Sequence, residues 1–389
     1  MQIKKIGARI VKDSRNEKTI LVFVETLKGE FYTISPSGKS TGKYEVKPYL
    51  RKMEREVEYI KELDISKLNI KKFDDLKKVE DYVKLGGNSL FALEASLLKA
   101  LAKDKNLELY ELLIEKNNKN KIIGSVGNAV GGGLHSKGIN NKKPDFQEFH
   151  FISKNKDFYE NVKINNLTYN IVGNILKSKK RNDEGAWETE LSNEEVLDAM
   201  KYVRDIMKKK GINLEIGLDI AASSFFNKKY FYKNPKMILN MNQQVEYVAN
   251  LINKYDLFYV EDPLEENDFK GFKKLMKKIK NKCLIVGDDL IATSPNRLKK
   301  AIKNKSVNAV IVKPNQIGSM IKLKEVIDIC KNNKIKIIIS HRSGESEDYT
   351  IADFAIGFQA DFIKTGIYGK VRESKLKRII EIERNLKNE

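Results

Sequence analysis

Apolar and polar positions fall into two regimes along the chain. In the first, β-forming residues cluster at 2–12, 18–27 and 30–34. Asp13–Lys18 and Lys28–Gly29 read as the turns between them, so a small antiparallel meander is expected. The run SPSGKSTG at 35–42 is a loop by composition. Helical spacing follows at 49–62 and 88–103, where Leu90, Leu93, Leu97, Leu98 and Leu101 share one face. Leu107–Ile114 reads as a further short helix. The polar run EKNNKNK at 115–121 is the most linker-like stretch. It sets the expected division into an α+β cap at 1–118 and a second domain at 119–389.

The second regime repeats one design. Short apolar runs end abruptly in charge: NLEIGLD in Asp219, DLFYVED in Glu261 and Asp262, CLIVGDD in Asp288 and Asp289, NAVIVK in Lys313. IKIIIS runs into His341 and Arg342, and DFIK ends in Lys364. The steps between these ends are each close to one strand–helix unit, the first being longer. That rhythm predicts consecutive strands of a parallel α/β barrel, which presents reactive groups at strand C-terminal ends. Upstream, the glycine-rich stretch 125–143 lacks both GKS/T and GxGxxG, so it reads as a flexible loop. Phe146, Phe149 and Phe151 flank a strand carrying Gln147 and Glu148. A helix is expected over 157–178 and a charged loop at 181–190. Ser192 with Glu195 forms a capping box, and Ser294–Pro295 reads as N-cap and first helical residue.

Composition narrows the picture only modestly. The 389 residues, 41% of them hydrophobic, allow a sizeable core. No apolar run reaches membrane-spanning length. The start MQIKKIGARIVKD has no apolar h-region, so a cytoplasmic protein without a signal peptide is expected. Cys283 and Cys330 form no metal-like cluster and read as buried thiols. Lys and Arg outnumber Asp and Glu by 73 to 53, a net +20 that raises nucleic acid as a partner. The lysines lie in short dispersed runs, such as Lys208–Lys210 and Lys277–Lys282, without an RNA-binding pattern. Solvated faces explain them, and an anionic small substrate fits the sign equally well.

Three carboxylates at the tips of neighbouring strands, Asp219, Glu261 and Asp288, suit a hard cation such as Mg²⁺ that keeps water and takes substrate oxygens. Lys313 and Lys364 would face it across the barrel mouth. A lysine beside a divalent cation has a lowered pKa and can act as a neutral base. Ser340–His341–Arg342–Ser343 offers imidazole, guanidinium and hydroxyls for a phosphate or carboxylate. No Ser-His-Asp triad is suggested.

These residues resemble the enolase family. VKPNQIG at 312–318 is similar to its base-bearing strand, and SHRSGESED at 340–348 to its phosphate loop. GLDIAASSFF at 217–226, VEDPLEEND at 260–268 and VGDDL at 286–290 match its metal strands. PSGKSTGKYE at 36–45 resembles its mobile loop, ARIVKDSRNEKT at 8–19 its opening strand and turn, and FIKTG at 362–366 its last barrel strand. The resemblance implies an N-terminal α+β domain on an eight-stranded α/β barrel that begins ββαα. It implies Mg²⁺-dependent, reversible dehydration of 2-phosphoglycerate to phosphoenolpyruvate, with two ions per site. Lys313 would be the base and Glu184, in NDEG, the acid. Asp219, Glu261 and Asp288 would hold one ion, and Ser40 would join the second as its loop closes. Arg342 and Ser343, with His341 beside them, would bind phosphate, and Lys364 the carboxylate. His135, Gln147 and Glu148 would line the leaving-group side. A homo-oligomer, dimeric or octameric, is also implied.

The chain departs from the family pattern in places. Lys39 replaces a small residue, NDEGAW lacks a second glycine, DSRNEKT lacks Gly-Asn-Pro, and the segment between His135 and Gln147 is long. Two other readings therefore stand beside the first. One is an enolase-like lyase for another 2-hydroxy or phosphorylated acid. The other is a non-catalytic paralogue that binds RNA or a protein partner.

Overall fold

Three antiparallel strands open the chain: β1 (Ile3–Lys12), β2 (Lys18–Thr26) and β3 (Gly29–Ile34), in that spatial order. The computed structural model describes residues 1–39, 42–114, 122–140 and 142–388. Helices α1 (Met53–Glu62), α2 (Leu76–Tyr82), α3 (Gly87–Asp104) and α4 (Leu109–Leu113) follow. The helix expected from 49 starts at 53. Lys47 and Pro48 lie outside it, and their carbonyls accept from Gly87 and Asn88 N–H at 2.8 and 3.0 Å, satisfying the start of α3. α3 packs on β2 and β3 and also on the second domain. It is therefore buried well beyond its leucine face, with Phe91, Ala92, Glu94 and Ala95 enclosed. The expected boundary between 118 and 119 lies outside the described residues.

The glycine-rich stretch is the main correction to the sequence reading. Residues Gly124–Gly131 are not a loop but strand β4, buried along its whole length. A Cβ on Gly124 would sit 2.3 Å from the Phe362 ring, and one on Gly131 2.3 Å from the Asn182 side chain. These glycines mark close approach rather than mobility. β4 pairs antiparallel with β5 (Glu148–Ser153). Then come α5 (Phe158–Ile175), the two-residue strand β6 (Trp187–Glu188) inside the loop expected at 181–190, and α6 (Asn193–Lys209). Asp157 caps α5, and the Ser192–Glu195 box caps α6 as the spacing requires.

From β7 (Glu215–Asp219) the strand–helix rhythm runs unbroken. The longer first step is a small sheet, β8 (Phe226–Asn227), β9 (Lys229–Lys233) and β10 (Lys236–Leu239), set before α7 (Met241–Tyr255). Next are β11 (Tyr259–Glu261), α8 (Phe269–Ile279), β12 (Leu284–Gly287) and α9 (Pro295–Asn304), capped by Ser294. β13 (Ala309–Val312), the single turn α10 (Pro314–Ile317) and α11 (Met320–Asn332) follow. β14 (Lys336–Ser340), α12 (Thr350–Gly357), β15 (Phe362–Lys364) and α13 (Lys370–Asn388) complete the chain. β15 pairs back onto β4 and closes an eight-stranded barrel whose first elements run ββαα. Val126, Ile152, Tyr259, Val286, Ala309, Ile311, Ile338 and Phe362 fill its interior. Both cysteines are free and buried. Among the described residues no helix is long and apolar enough to cross a membrane.

Candidate active site

Register alone assembles the acidic floor. Asp219 at the end of β7 lies opposite Glu148 of β5 on one side and Glu261 of β11 on the other. Three carboxylates thus stand side by side on adjacent strands, an arrangement that costs free energy unless positive charge offsets it. Lys364, ending β15, supplies that charge. Its Nζ lies 2.9 Å from both Glu261 oxygens, 3.2 Å from Asp219 and 3.4 Å from Glu148. Burial would lower the Lys364 pKa, but Asp219, Glu148 and Glu261 push it well above its ordinary value. Burial and the neighbouring Asp219 push the Glu261 carboxyl well up. Tyr259 donates to Glu261 at 2.5 Å.

Asp288 follows β12, and its Oδ2 accepts from Lys313 Nζ. Its Oδ1 is buried without a hydrogen-bond partner among the described residues. Asp262, just past β11, holds this turn by accepting from the backbone N–H of Asp288 and Asp289 at 3.0 and 2.6 Å. Buried, all-oxygen donors with one oxygen left over fit a hard divalent cation at Asp219, Glu261 and Asp288. Burial works to lower the Lys313 pKa, but the Asp288 carboxylate raises it. Lys313 is thus held as the partner of Asp288, and the neutral amine expected of it depends on a divalent cation beside it. Its backbone N–H is fixed by Thr293 Oγ1 at 3.0 Å.

Glu148 joins the floor to a second cluster. His135 Nδ1 is 3.4 Å from both Glu148 Oε1 and Glu184 Oε1. Burial disfavours its charge, yet Glu184 and Glu148 raise its pKa to about 10. Glu148 also meets His150 at 2.9 Å; burial would raise its pKa, but Lys364 and the two histidines hold it well below the usual range. Glu184 is buried, and its Oε2 has no hydrogen-bond partner among the described residues. Asn182 Oδ1 fixes the turn around it by accepting from Glu184 and Ala186 N–H at 3.0 and 2.9 Å. Gln147 donates to Asp219 at 3.3 Å.

The remaining wall is basic. Arg342 makes a two-pronged pair with Glu45 at 2.8 and 3.1 Å. Arg15 donates to Ser343 Oγ at 3.1 Å. Burial and the nearby Arg372 push the His341 pKa well down, so the imidazole is neutral. Lys39 does not reach toward Arg342 and Ser343; it donates to the Leu134 carbonyl at 3.0 Å and approaches Asp183 at 3.5 Å. Ser40 lies outside the described residues.

These groups surround one cavity of about 300 Å³ between the 35–42 loop and the barrel mouth. Its lining includes His135, Gln147, Glu148, Glu184, Asp219, Asp288, Lys313, His341, Arg342, Ser343 and Lys364. Glu261 is fully buried and connects to the cavity through Lys364. Sequence reasoning gave no role to Glu45, Arg15, Asp262 or Thr293. Glu45 and Arg15 sit inside quoted motifs, so their positions were visible but their partners were not.

Comparisons with known proteins identify the family. The family model described as "Enolase, C-terminal TIM barrel domain" matches residues 122–389. The chain is 35% identical to an enolase of Archaeoglobus fulgidus over 98% of this chain and 97% of that one. It is 34% identical to an enolase of Methanosphaera stadtmanae, covering 99% and 98%. A Thermoplasma acidophilum enolase is 32% identical, with 98% of each chain covered. With a closed ββαα-type barrel, its small N-terminal sheet and relatives matched from end to end, the chain belongs to the enolase family, the phosphopyruvate hydratases, and is a lyase.

Proposed function

We propose that the enzyme reversibly dehydrates 2-phosphoglycerate to phosphoenolpyruvate, in glycolysis and gluconeogenesis. One observation carries this reading: the lysine–acid floor of Lys313, Asp288, Lys364, Glu261 and Asp219 faces Glu184 and His135 across a single cavity. A proton acceptor and a proton donor on opposite faces of a small anion are what a stepwise elimination requires.

Lys313 Nζ takes the proton from C2. The electron pair left behind spreads into the adjacent carboxylate, giving an enediolate. Its collapse forms the C2–C3 double bond and expels the C3 hydroxyl, which leaves as water with a proton from Glu184. Lys364 pairs with the substrate carboxylate. Arg342 and Ser343 hold the phosphate beside neutral His341, and His135, Gln147 and Glu148 shape the leaving-group side. Asp219, Glu261 and Asp288 would hold one Mg²⁺, and Ser40 would join a second. Bound there, Mg²⁺ supplies positive charge that makes a proton beside an ionised carboxylate removable.

The reading extends to a cytoplasmic homo-oligomer, dimeric or octameric, with no nucleic-acid role; the dispersed lysines support the last point. The test is direct. Purified enzyme with 2-phosphoglycerate and Mg²⁺ should raise the ultraviolet absorbance of phosphoenolpyruvate. An inert enzyme under those conditions refutes the substrate assignment. Light scattering gives the assembly.

A further inference from the structure

The turn carrying Glu184 is gripped from outside the cavity by groups that never reach it. Tyr169, buried on α5, donates its hydroxyl to the Gly185 carbonyl at 2.6 Å. The same oxygen accepts from Arg181 Nε at 2.7 Å. The Arg181 guanidinium lies between two rings, 4.0 Å from Trp187 and 4.1 Å from Tyr368. The Tyr169 ring is nearly parallel to both, 5.1 Å and 20° from Trp187, 6.1 Å and 12° from Tyr368. Trp187 Nε1 closes the assembly by donating to the Tyr169 carbonyl at 3.0 Å.

The turn has little freedom to move against this grip. Gly185 holds φ at +83°, and a Cβ there would lie 2.6 Å from the Tyr368 carbonyl oxygen. At the carboxyl end, by contrast, Glu184 has one ion-pair neighbour among the described residues, His135 at 3.4 Å, and one oxygen has no hydrogen-bond partner among them. The direction of the Glu184 side chain is therefore set mainly by its backbone. That backbone is set by Asn182 from within and by Tyr169 from without. A guanidinium stacked on aromatic faces is held more firmly than one in water. This gives the Tyr169 hydroxyl a fixed acceptor geometry.

We propose that Tyr169 and Arg181 are positioning residues that aim Glu184 at the departing C3 hydroxyl. The inference rests on the dehydration reading above. Neither residue touches the substrate; both act through the Gly185 carbonyl and the turn. A misaim of the acid slows departure of the hydroxyl without affecting proton removal by Lys313, which sits on the other wall. Displacements of about 1 Å at a catalytic group cost up to about a hundredfold in rate.

The test compares Tyr169→Phe and Arg181→Ala with the wild-type enzyme, using 2-phosphoglycerate and Mg²⁺. Three quantities are read: phosphoenolpyruvate formation, exchange of the C2 hydrogen with heavy water, and emission of Trp187, the only tryptophan. In both variants kcat should fall by about tenfold to a hundredfold, while KM and the rate of C2 exchange stay within about twofold. Arg181→Lys, which keeps a cation but not the planar fork, should fall between them and wild type. The Trp187 emission should shift in Tyr169→Phe and Arg181→Ala alike, since each opens one side of its stack. A general structural defect would lower exchange and product formation together, and that result overturns the positioning role. Wild-type rates in both variants overturn it too. If the wild type itself forms no product, the dehydration reading and this inference fall together; an active wild type with parallel losses in the variants removes this inference alone.

Discussion

Lys364 Nζ lies 2.9 Å from both carboxylate oxygens of Glu261, at a depth where neither side chain meets solvent appreciably. A lysine at the end of the last barrel strand thereby balances an acid at the end of the fourth. Breaking a buried pair by removing one partner leaves the other charge uncompensated. Lys364→Met should therefore destabilise chelator-treated protein by about 3 kcal/mol in denaturant titrations. Mg²⁺ should then stabilise the variant more than the wild type, because the cation restores missing charge. Equal stabilisation of the two proteins would show that the acids do not share one cation. Excess chelator should abolish turnover, and Glu261→Gln should weaken Mg²⁺ binding; full turnover in chelator refutes the metal assignment.

The base and the acid can be separated. Lys313→Ala should lose both phosphoenolpyruvate formation and exchange of the C2 hydrogen with heavy water. Glu184→Gln should slow product formation by about a hundredfold or more yet keep measurable exchange, since the enediolate forms and collapses back. Proton NMR of recovered 2-phosphoglycerate reads the exchange. Exchange lost in Glu184→Gln but kept in Lys313→Ala would mean that the two roles are reversed.

We propose that Lys39, at the rim of the cavity, is a tether rather than a catalytic group. Its side chain, nearly half exposed, donates from Nζ to the Leu134 carbonyl and reaches toward Asp183. Exposed pairs of this kind contribute at most about 1 kcal/mol. Lys39→Ala should thus lower kcat/KM by less than about tenfold, with the loss shrinking at high salt. Deleting 37–41 should be far more damaging. A Lys39→Ala enzyme as inactive as Lys313→Ala would contradict this.

His135 offers a pH signature in chelator-treated protein. Burial alone would depress its pKa, but Glu184 and Glu148 raise it to about 10. The folded value lies above the ordinary histidine value of 6.5, so the stability from this charge is complete below that pH and is lost as pH rises through about 10. His135→Asn should cost roughly 1–3 kcal/mol near pH 6 and clearly less near pH 10.5. A cost independent of pH in denaturant titrations would mean that the imidazole is neutral. The ring proton of His135 should titrate near pH 10 by NMR.

What the sequence determined by itself was local chemistry. Apolar runs ending in Asp219, Glu261, Asp288, Lys313 and Lys364 are legible because a buried parallel strand is a short apolar run and its C-terminal end faces solvent or ligand. Caps at Ser192 and Ser294 are legible because they act over one helical turn. Glu184 had no such local signal, and only the resemblance singled it out. Tertiary structure decided the rest. The strand over Gly124–Gly131 was hidden because its glycines answer to the Phe362 ring and the Asn182 side chain, partners far away in the chain. The row Glu148–Asp219–Glu261 exists only through strand register, and barrel closure brings Lys364 onto it. Lys313 could be placed at a strand end from its neighbours, but its pairing with Asp288 needed the geometry. The Arg181 stack likewise joins a helix, a turn and the segment after the last strand. Hydrophobic periodicity reports which side of an element is buried; it carries no information about which distant group will be found there.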